Sequence, residues 1–521
     1  MFIIDILNQY SRLYHSPDQQ FPEHIYEALK LATSYRKDGY AFTDAYIKGK
    51  WDGYERLGES RDYNHEFIFP TGLVPHVVST LDVMKTIYVV IDLRTKPESQ
   101  YASAKTLDGI EGLRDYQENM VASIERSLED TVDFPLLSLT EEQKNHLTAR
   151  VGRVSPFRVP GIGIWWAATG SGKTESAAGL IGKMGVRTLF VVYGNSLVKQ
   201  TKKRFETRLH TWLTEHSLTV ADCIEGDFRT GFITIAGLTT MTNILKNKKH
   251  ENHKDLLAYL AKVDLFIFDE GHGSAAKNAY NLIMSCSAYY RVCMSGTPLD
   301  RPDDSNLKVI AGFGDIVHRS TNKEMVEKGV IPEATIRLIQ IGGSSGGHAR
   351  DWNDVYERGI VWYEPRNLRI IQLVQQYYEK DKKVLILFKS IPHGERLSDM
   401  LWTEKNADDE ETFIAHTKLD GESSLEERED ALSSFREGKL RVLLASDIFQ
   451  QGVDLPDIDV VINAAAGKSV IGVLQRFGRG LRGDNLILVD FADGQHATLA
   501  KHSLARLKIY KKQDCFNIIS G

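Results

Sequence analysis

The stretch Ala167-Ala168-Thr169-Gly170-Ser171-Gly172-Lys173-Thr174 decides how the rest of the chain reads. An apolar run, Ile162 to Trp166, leads into it, and Glu175-Ser176-Ala177-Ala178-Gly179-Leu180 continues from it. That order predicts a buried strand, a glycine-rich turn and the start of a helix. The backbone N–H groups of such a turn and of the helix N-terminus converge on one point, which suits a phosphate chain. Ala168, Thr169, Gly170, Ser171 and Gly172 would form the cradle. Lys173 can reach the β- and γ-phosphates, and the Thr174 hydroxyl can ligate Mg2+. Ala167 stands where the usual pattern has its first glycine. Taken alone, the turn also fits a glycine-rich connection in some other parallel-sheet protein.

The segments that follow repeat the strand–helix rhythm. Thr188 to Tyr193 is an uninterrupted apolar run, the pattern of a strand covered on both faces. A helix from Ser196 to about Leu209 carries Lys199, Lys202, Lys203, Arg204 and Arg208, which suit either a phosphate-facing surface or a solvated face. Phe232 to Ala236 is a strand ending at Gly237-Leu238-Thr239. Val263 to Phe268 is another, and it ends in Asp269-Glu270-Gly271-His272. Acidic residues at the carboxyl end of a parallel strand lie where such sheets bind ligands. Asp269 can hold Mg2+, and Glu270 can orient and deprotonate an attacking water. A helix cap with an N-terminal charge gives the same local pattern. It does not explain why the pair follows a phosphate loop. Arg291 to Met294 is a further strand running into Ser295-Gly296-Thr297-Pro298, whose hydroxyls can report the state of a γ-phosphate.

Upstream, Leu113-Arg114-Asp115-Tyr116-Gln117 opens a helix from Glu118 to Leu128. The Gln117 amide offers one donor and one acceptor, matching the N6/N7 edge of adenine, and equally suits a surface residue. Residues 1–110 lack the strand–helix rhythm. Tyr35, Tyr40, Phe42, Tyr46, Trp51, Tyr54, Phe67 and Phe69 alternate there with Lys37, Lys48, Lys50, Arg56 and Arg61. Asp52-Gly53 reads as a turn between two short strands. Leu81 to Lys85 reads as helical and Ile87 to Leu93 as a strand. A small α+β module follows from this. Its aromatic and basic residues suit either a compact core or a grip on a nucleic-acid backbone.

The chain has 521 residues, 42% of them hydrophobic and 26% charged, enough for two to four domains with ample core. Its formal net charge of −6 gives no global basic field, so nucleic-acid binding must use local basic stripes. The four cysteines, Cys223, Cys286, Cys293 and Cys515, lack metal-ligand spacing and read as reduced thiols of a cytoplasmic protein. Met1-Phe2-Ile3-Ile4-Asp5 lacks a basic leader, and no apolar run is long enough to span a bilayer.

Residues 331–521 read as a second parallel sheet. Strands are expected at Glu333 to Ile341, Lys383 to Phe388, Phe413 to His416, Arg441 to Ala445, Val460 to Ala464 and Asn485 to Phe491. Helices alternate with them at Pro365 to Lys380, Gly394 to Trp402, Ser424 to Arg436 and His496 to Lys511. This half has no phosphate loop. A predicted helix bears Gln475-Arg476-Phe477-Gly478-Arg479-Gly480-Leu481-Arg482, placing Arg479 and Arg482 on one face. Two guanidiniums so placed suit arginine fingers on a γ-phosphate, and equally a basic surface or a structural ion pair.

The ordered set Gln117, phosphate loop, Asp269-Glu270-Gly271-His272, Ser295-Gly296-Thr297 and Gln475-x-x-Gly478-Arg479-x-x-Arg482 resembles superfamily 2 helicases, from about Leu113 to Phe491. The resemblance implies an α/β fold of two tandem RecA-like parallel-sheet domains, at 111–330 and 331–521, behind a small α+β module at 1–110. It implies ATP between the two domains and Mg2+-dependent hydrolysis that drives stepping along nucleic acid. By the same resemblance Gln117 reads adenine, and Gln475, Gly452 and Asp454 complete the ATP site. His272, Ser295 and Thr297 would couple hydrolysis to movement. Ser196, Thr239, Lys389, Ser390 and Ser446 match positions lining a strand-tracking groove.

Gln451-Gly452-Val453-Asp454-Leu455-Pro456 is most similar to a branch of DNA translocases that includes phage branch-migration helicases of the UvsW type and XPB-like proteins. DEAD-box RNA helicases would read Ala-Asp at Gly271-His272 and Ser-Ala-Thr at Ser295-Gly296-Thr297. Gly271 in place of Ala reads as a small-for-small exchange. Gly49-Lys50-Trp51-Asp52-Gly53 followed by Phe69-Pro70-Thr71-Gly72-Leu73 looks like the DNA-binding module ahead of the motor in the phage proteins, which would put Lys50 and Trp51 on DNA. The expected partner is branched or duplex DNA, with recombination or replication proteins alongside, no membrane, and a monomer favoured. The expected role is branch migration or fork repair. Rivals are an RNA helicase or remodeller, the motor subunit of a restriction or defence complex, and an ATP-gated clamp without turnover. The complete set Lys173, Glu270, Arg479 and Arg482 argues against the clamp.

Overall fold

The computed structural model describes residues 2–15, 20–61, 65–103, 112–127, 158–168, 170–299, 305–330, 334–345, 351–402, 404–405, 411–446, 458–467, 486–511 and 516–521. The chain forms two compact units, one of Met1–Ala167 and Gly172–Ser320, the other of Ala168–Ser171 and Thr321–Gly521.

The first unit begins with β1 (Phe2–Ile6), β2 (Tyr10–His15), β3 (Ser34–Arg36), β4 (Tyr54–Arg56), β5 (Glu59–Arg61), β6 (Glu66–Pro70) and β7 (Tyr88–Asp92). Five of them form a sheet in the order β5-β6-β2-β1-β7, and β3 pairs with β4. Only β1 and β7 run parallel in the larger sheet. Alternation on β1 turns Phe2, Ile4 and Ile6 inward against the helix Val74–Val83. The aromatics of this region divide. Tyr35, Phe67 and Phe69 are core, while Phe42 is 89% and Ile47 68% exposed. Asp52-Gly53 does not close a two-residue hairpin. The Asp52 carboxylate accepts from the Tyr54 N–H at 3.1 Å and from Arg56, an Asx turn that opens β4 instead.

The strands β8 (Ile162–Ala167), β9 (Thr188–Val192), β10 (Val220–Cys223), β11 (Ile233–Gly237), β12 (Leu265–Asp269), β13 (Tyr290–Ser295) and β14 (Ile316–Ser320) form a wholly parallel sheet. Their order is β10-β11-β9-β12-β13-β8-β14. Every residue of β9, β11, β12 and β13 is buried, as both-face coverage requires. Leu265 and Ile267 face a cluster with Met120, Ile124, Ile181 and Phe205. Phe266 and Phe268 face the opposite cluster, which also holds Phe2, Ile4, Phe67 and Phe69. The N-terminal sheet therefore shares its core with the parallel sheet. Polar contacts follow the same seam: Asn8 Nδ2 donates to the Ser287 carbonyl at 2.7 Å, and Lys308 pairs with Glu55.

The second unit holds β15 (Ala334–Ile341), β16 (Val384–Phe388), β17 (Glu404–Lys405), β18 (Glu411–Thr412), β19 (His416–Leu419), β20 (Val442–Ser446), β21 (Val460–Asn463), β22 (Leu486–Asp493) and β23 (Phe516–Ser520). A second seven-stranded parallel sheet runs β19-β20-β16-β21-β22-β15-β23, beside a β17-β18 hairpin. Two parallel sheets flanked by helices are the tandem RecA-like arrangement. The strand expected at Phe413 to His416 lies later, because Leu419 is buried whereas Phe413 stays half-exposed, stacked on Trp402. The core of this unit contains charge: Arg366 pairs with Asp493 and Arg506 with Asp490, each at 2.8 Å and at most 1% exposed. Further hydrogen bonds offset part of what burying such pairs costs: Tyr510 Oη adds a donor to Asp490 at 2.9 Å. Burial, with Arg366 and Arg396 nearby, pushes the His393 imidazole down to about 3.

Candidate nucleotide site

Strand order brings the motifs together. β8, β13 and β12 are neighbours and point the same way. Ser295 lies opposite Trp166, and Asp269 opposite Met294. The loop after Ala167, the Ser295-Gly296-Thr297 turn and the Asp269-Glu270 pair therefore leave the sheet side by side at its carboxyl edge, where parallel sheets bind ligands.

In the phosphate loop, Gly170 and Gly172 take left-handed φ values of +83° and +77°. Gly172 is constrained twice, because a Cβ there would run into the Gln117 amide nitrogen. Lys173 opens the helix Lys173–Met184 and donates to the Ala167 carbonyl at 3.1 Å. Thr174 follows, half-buried, and Thr169 lies outside the described residues. Gln117 sits on the helix Asp115–Arg126, with its Oε1 accepting from the Arg114 N–H at 2.9 Å. Trp165 Nε1 donates to Ser123 Oγ at 3.1 Å and pins that helix to β8. Glu175, next to Thr174, is held by Arg208 at 2.7 Å and Arg204 at 3.8 Å.

Asp269 is buried, and its Oδ1 accepts from the Glu270 N–H at 2.9 Å. Glu270 has φ +55°, a left-handed conformation that costs a residue with a side chain roughly 1–3 kcal/mol. The backbone thus turns sharply at the acidic pair. The Ser295 Oγ accepts from the Thr297 N–H at 3.1 Å, closing the third turn. Nothing is described of the His272 side chain.

Gly271 corrects the sequence reading, since it is more than a small-for-small exchange. An added Cβ there would press into Cys293 Sγ, on neighbouring β13, but would lie 3.6 Å from Cys293 Cβ. Burial, with Asp269 and Glu270 near, raises the Cys293 thiol pKa, so it stays an uncharged filler beneath the pair. Gly271→Ala is expected to destabilise the protein by about 1–3 kcal/mol in chemical denaturation and to slow turnover. Adding Cys293→Ala leaves ordinary contact and is expected to restore both. Equal loss in the single and double variants would show that Cys293 is not the obstacle.

Three of the five basic residues of the helix Asn195–Arg208 pair internally. Lys202 pairs with Asp222 at 3.1 Å, and Arg204 and Arg208 with Glu175, while Lys199 and Lys203 face outward. Its start, and exposed Thr239 on the helix Leu238–Lys246, follow β9 and β11 at the same sheet edge. The Ser196 side chain is not described. In the second unit Lys389 is exposed after β16, its ammonium over the rings of Tyr356 and Trp352 at 5.5 and 6.0 Å. Ser390 is half-buried and begins the next helix, and buried Ser446 ends β20 opposite Phe388. Lys50 is exposed, whereas the Trp51 indole N–H is given to the Tyr54 carbonyl at 2.8 Å. Gly452, Asp454, Gln475, Arg479 and Arg482 lie outside the described residues. Trp352 and Tyr356 escaped the sequence reading; their signal was an aromatic pair spaced i, i+4 upstream of Lys389.

Residues 111–300 match the family model of the type III restriction enzyme res subunit, and residues 367–484 that of the helicase conserved C-terminal domain. The chain belongs to superfamily 2 of the helicases. It is a nucleic-acid-dependent ATPase by that membership. This helicase is 23% identical over 485 residues to putative helicase 22 of Sulfolobus islandicus filamentous virus, covering 89% of this chain and 81% of that one. It is 23% identical over 401 residues to the DNA 3'-5' translocase XPB2 of Sulfurisphaera tokodaii, covering 69% and 83%. The ATP-dependent DNA helicase uvsW of Enterobacteria phage T4 is 25% identical over 230 residues, 43% of this chain and 44% of that one. The crystal structure of T4 UvsW aligns over 100% of this helicase and 98% of that chain, with 17% identity and a TM-score of 0.38. Among the described residues, no helix is long and apolar enough to cross a membrane.

Proposed function

We propose that this helicase is a DNA translocase that hydrolyses ATP with Mg2+ and remodels branched DNA in recombination and repair, in the cytoplasm. The observation that supports it most is the side-by-side exit of three chemically distinct turns from β8, β13 and β12. The residues fit the nucleotide and its metal. The left-handed φ values of Gly170 and Gly172 give the loop turns that residues with side chains rarely adopt, and Thr174 and Asp269 offer the hard oxygen donors that Mg2+ prefers. When bound, Mg2+ neutralises charge on the β- and γ-phosphates.

Gln117 would select adenine through its amide nitrogen, which faces Gly172. Backbone N–H groups of Ala168 to Gly172 would hold the phosphates, and Lys173 would balance their charge. Glu270 would take the proton of the attacking water. Gln475, Arg479 and Arg482 would stabilise the charge that develops on the transferred phosphoryl group, and Gly452 and Asp454 would complete the ATP site. His272, Ser295 and Thr297 would relay the phosphate state. Ser196, Thr239, Lys389, Ser390 and Ser446 would follow the DNA backbone, with Lys50 and Trp51 adding contacts from the N-terminal sheet. DNA is preferred to RNA because two of the relatives above carry DNA in their names. ATP turnover is expected to be stimulated most by DNA, with a four-way junction or duplex leading. Strongest stimulation by RNA would overturn the substrate while leaving the motor intact.

A further inference from the structure

Two helices of the second unit start at the carboxyl end of β16. The helix Glu364–Tyr378 leads into that strand and packs along it, so its first residues lie at the strand's far end. The helix Ile391–Trp402 leaves from the same end, directly after Lys389 and Ser390. A π-helical turn, Glu357–Val361, stands just before the first helix, and the Trp362 N–H donates back to the Glu357 carbonyl at 2.8 Å. Such turns are rare and concentrate at functional positions.

Each end of the turn presents an aromatic ring to a cation. Tyr356, before it, lies 5.5 Å from the Lys389 ammonium, and Trp362, after it, lies 5.4 Å from the Arg396 guanidinium. Asn367 keeps the turn in register with the helix that carries Arg396. Its Nδ2 donates to the Val361 carbonyl at 2.8 Å, which leaves its Oδ1 to accept from His393 Nε2 at 3.1 Å. Gln495 Nε2 holds the middle of the turn through the Gly359 carbonyl at 2.7 Å.

The two cations are held without being neutralised. An aromatic ring attracts a cation through its quadrupole and brings no net charge. Among the described residues no carboxylate pairs with Lys389 or Arg396, and the Arg396 Nε is buried with no hydrogen-bond partner. Arg358, on the turn itself, pairs with Asp354 at 2.6 Å instead. Trp362 is 54% exposed, a large ring left in water beside unpaired positive charge. Positive charge for the backbone and an open ring for the bases are the two things a single strand needs.

We propose that Trp362 and Arg396 form a single-strand subsite beside Lys389, in which Arg396 meets a backbone phosphate and Trp362 stacks on an unpaired base. This rests on the nucleic-acid contact proposed above for Lys389. Bases within a duplex are covered on both faces by their neighbours, so the subsite takes the unpaired segment of a branched DNA and not intact duplex.

The test measures Kd for oligothymidylate and for a blunt duplex of the same length over a salt series, with a non-hydrolysable ATP analogue present and melting temperatures beside it. For Trp362→Ala, single-strand affinity is expected to fall at least about fivefold, the low end of what one stacked base contributes, while duplex affinity stays within about twofold. Trp362→Phe keeps a stacking ring and is expected to retain most of the single-strand affinity. Arg396→Met is expected to lower the salt slope on the single strand by about 0.7, the share of one phosphate contact. Equal losses on both DNAs for Trp362→Ala would show a structural tryptophan, and no loss on the single strand would show no stacking. Either result overturns the proposal, as does an unchanged slope in Arg396→Met. Lys389→Met tests the reading beneath it. Unchanged binding of both DNAs there would overturn that reading and the subsite with it. Weakened binding in Lys389→Met beside an unaffected Trp362→Ala would overturn the subsite alone.

Discussion

Lys173→Ala is expected to reduce ATP hydrolysis by at least a factor of about 100, the lower end of what one preorganised donor to developing charge supplies. The charge is the point. Lys173 begins the helix Lys173–Met184, so its ammonium and the helix N-terminus would act on the same phosphates. In the structure its Nζ donates to the Ala167 carbonyl at 3.1 Å, the last residue of β8. The side chain is thus already held beside the loop it serves. Alanine is a good helix former, so the helix should persist and the melting temperature change little. Rates with and without DNA, together with a thermal melt, check this. A K173A protein that retains DNA-stimulated turnover would sink the assignment of the whole phosphate loop.

Arg482→Ala is expected to lower turnover by about 10³–10⁵-fold while ATP binding stays largely intact. The asymmetry follows from when the charge appears. An arginine finger meets charge that spreads over the phosphoryl oxygens only as the bond breaks, so its loss raises the barrier more than it weakens the ground state. Arg482→Lys should not restore the rate, since an ammonium cannot reproduce the planar two-pronged donor. Nucleotide affinity by direct binding and turnover under saturating ATP separate the two effects. Equal loss of both would point to misfolding of the segment, not to a missing finger.

How much of this was legible in the sequence depended on the range of the interaction. β9, β11, β12 and β13 stand out because a strand buried on both faces must be apolar throughout. β10 does not, since Val220-Ala221-Asp222-Cys223 at the sheet edge carries an aspartate that pairs with Lys202. β14 and β23, two further edge strands of the parallel sheets that were missed, include His318, Arg319 and Asn517 and so lack an apolar run. The phosphate loop, acidic pair and hydroxyl turn read clearly because each is a short local string whose order in the chain carries meaning. Their adjacency came only from the strand order β12-β13-β8.

Other residues were illegible because their partners are distant in sequence. Gly271 is explained by Cys293 on the next strand, and Arg208 by Glu175. The N-terminal aromatics gave an ambiguous composition because they divide between core and surface. Phe67 and Phe69 pack into the shared core, while Phe42 and Lys50 stand in solvent.

The most direct test of the central claim is the steady-state ATPase rate at one fixed salt with no polymer, single-stranded DNA, linear duplex, a four-way junction and RNA. Fixed salt matters because phosphate contacts make binding steeply salt-dependent. The expected result is a low basal rate raised most by DNA, with the junction or duplex above the single strand. A rate that no nucleic acid raises, in a protein that binds ATP, would contradict it.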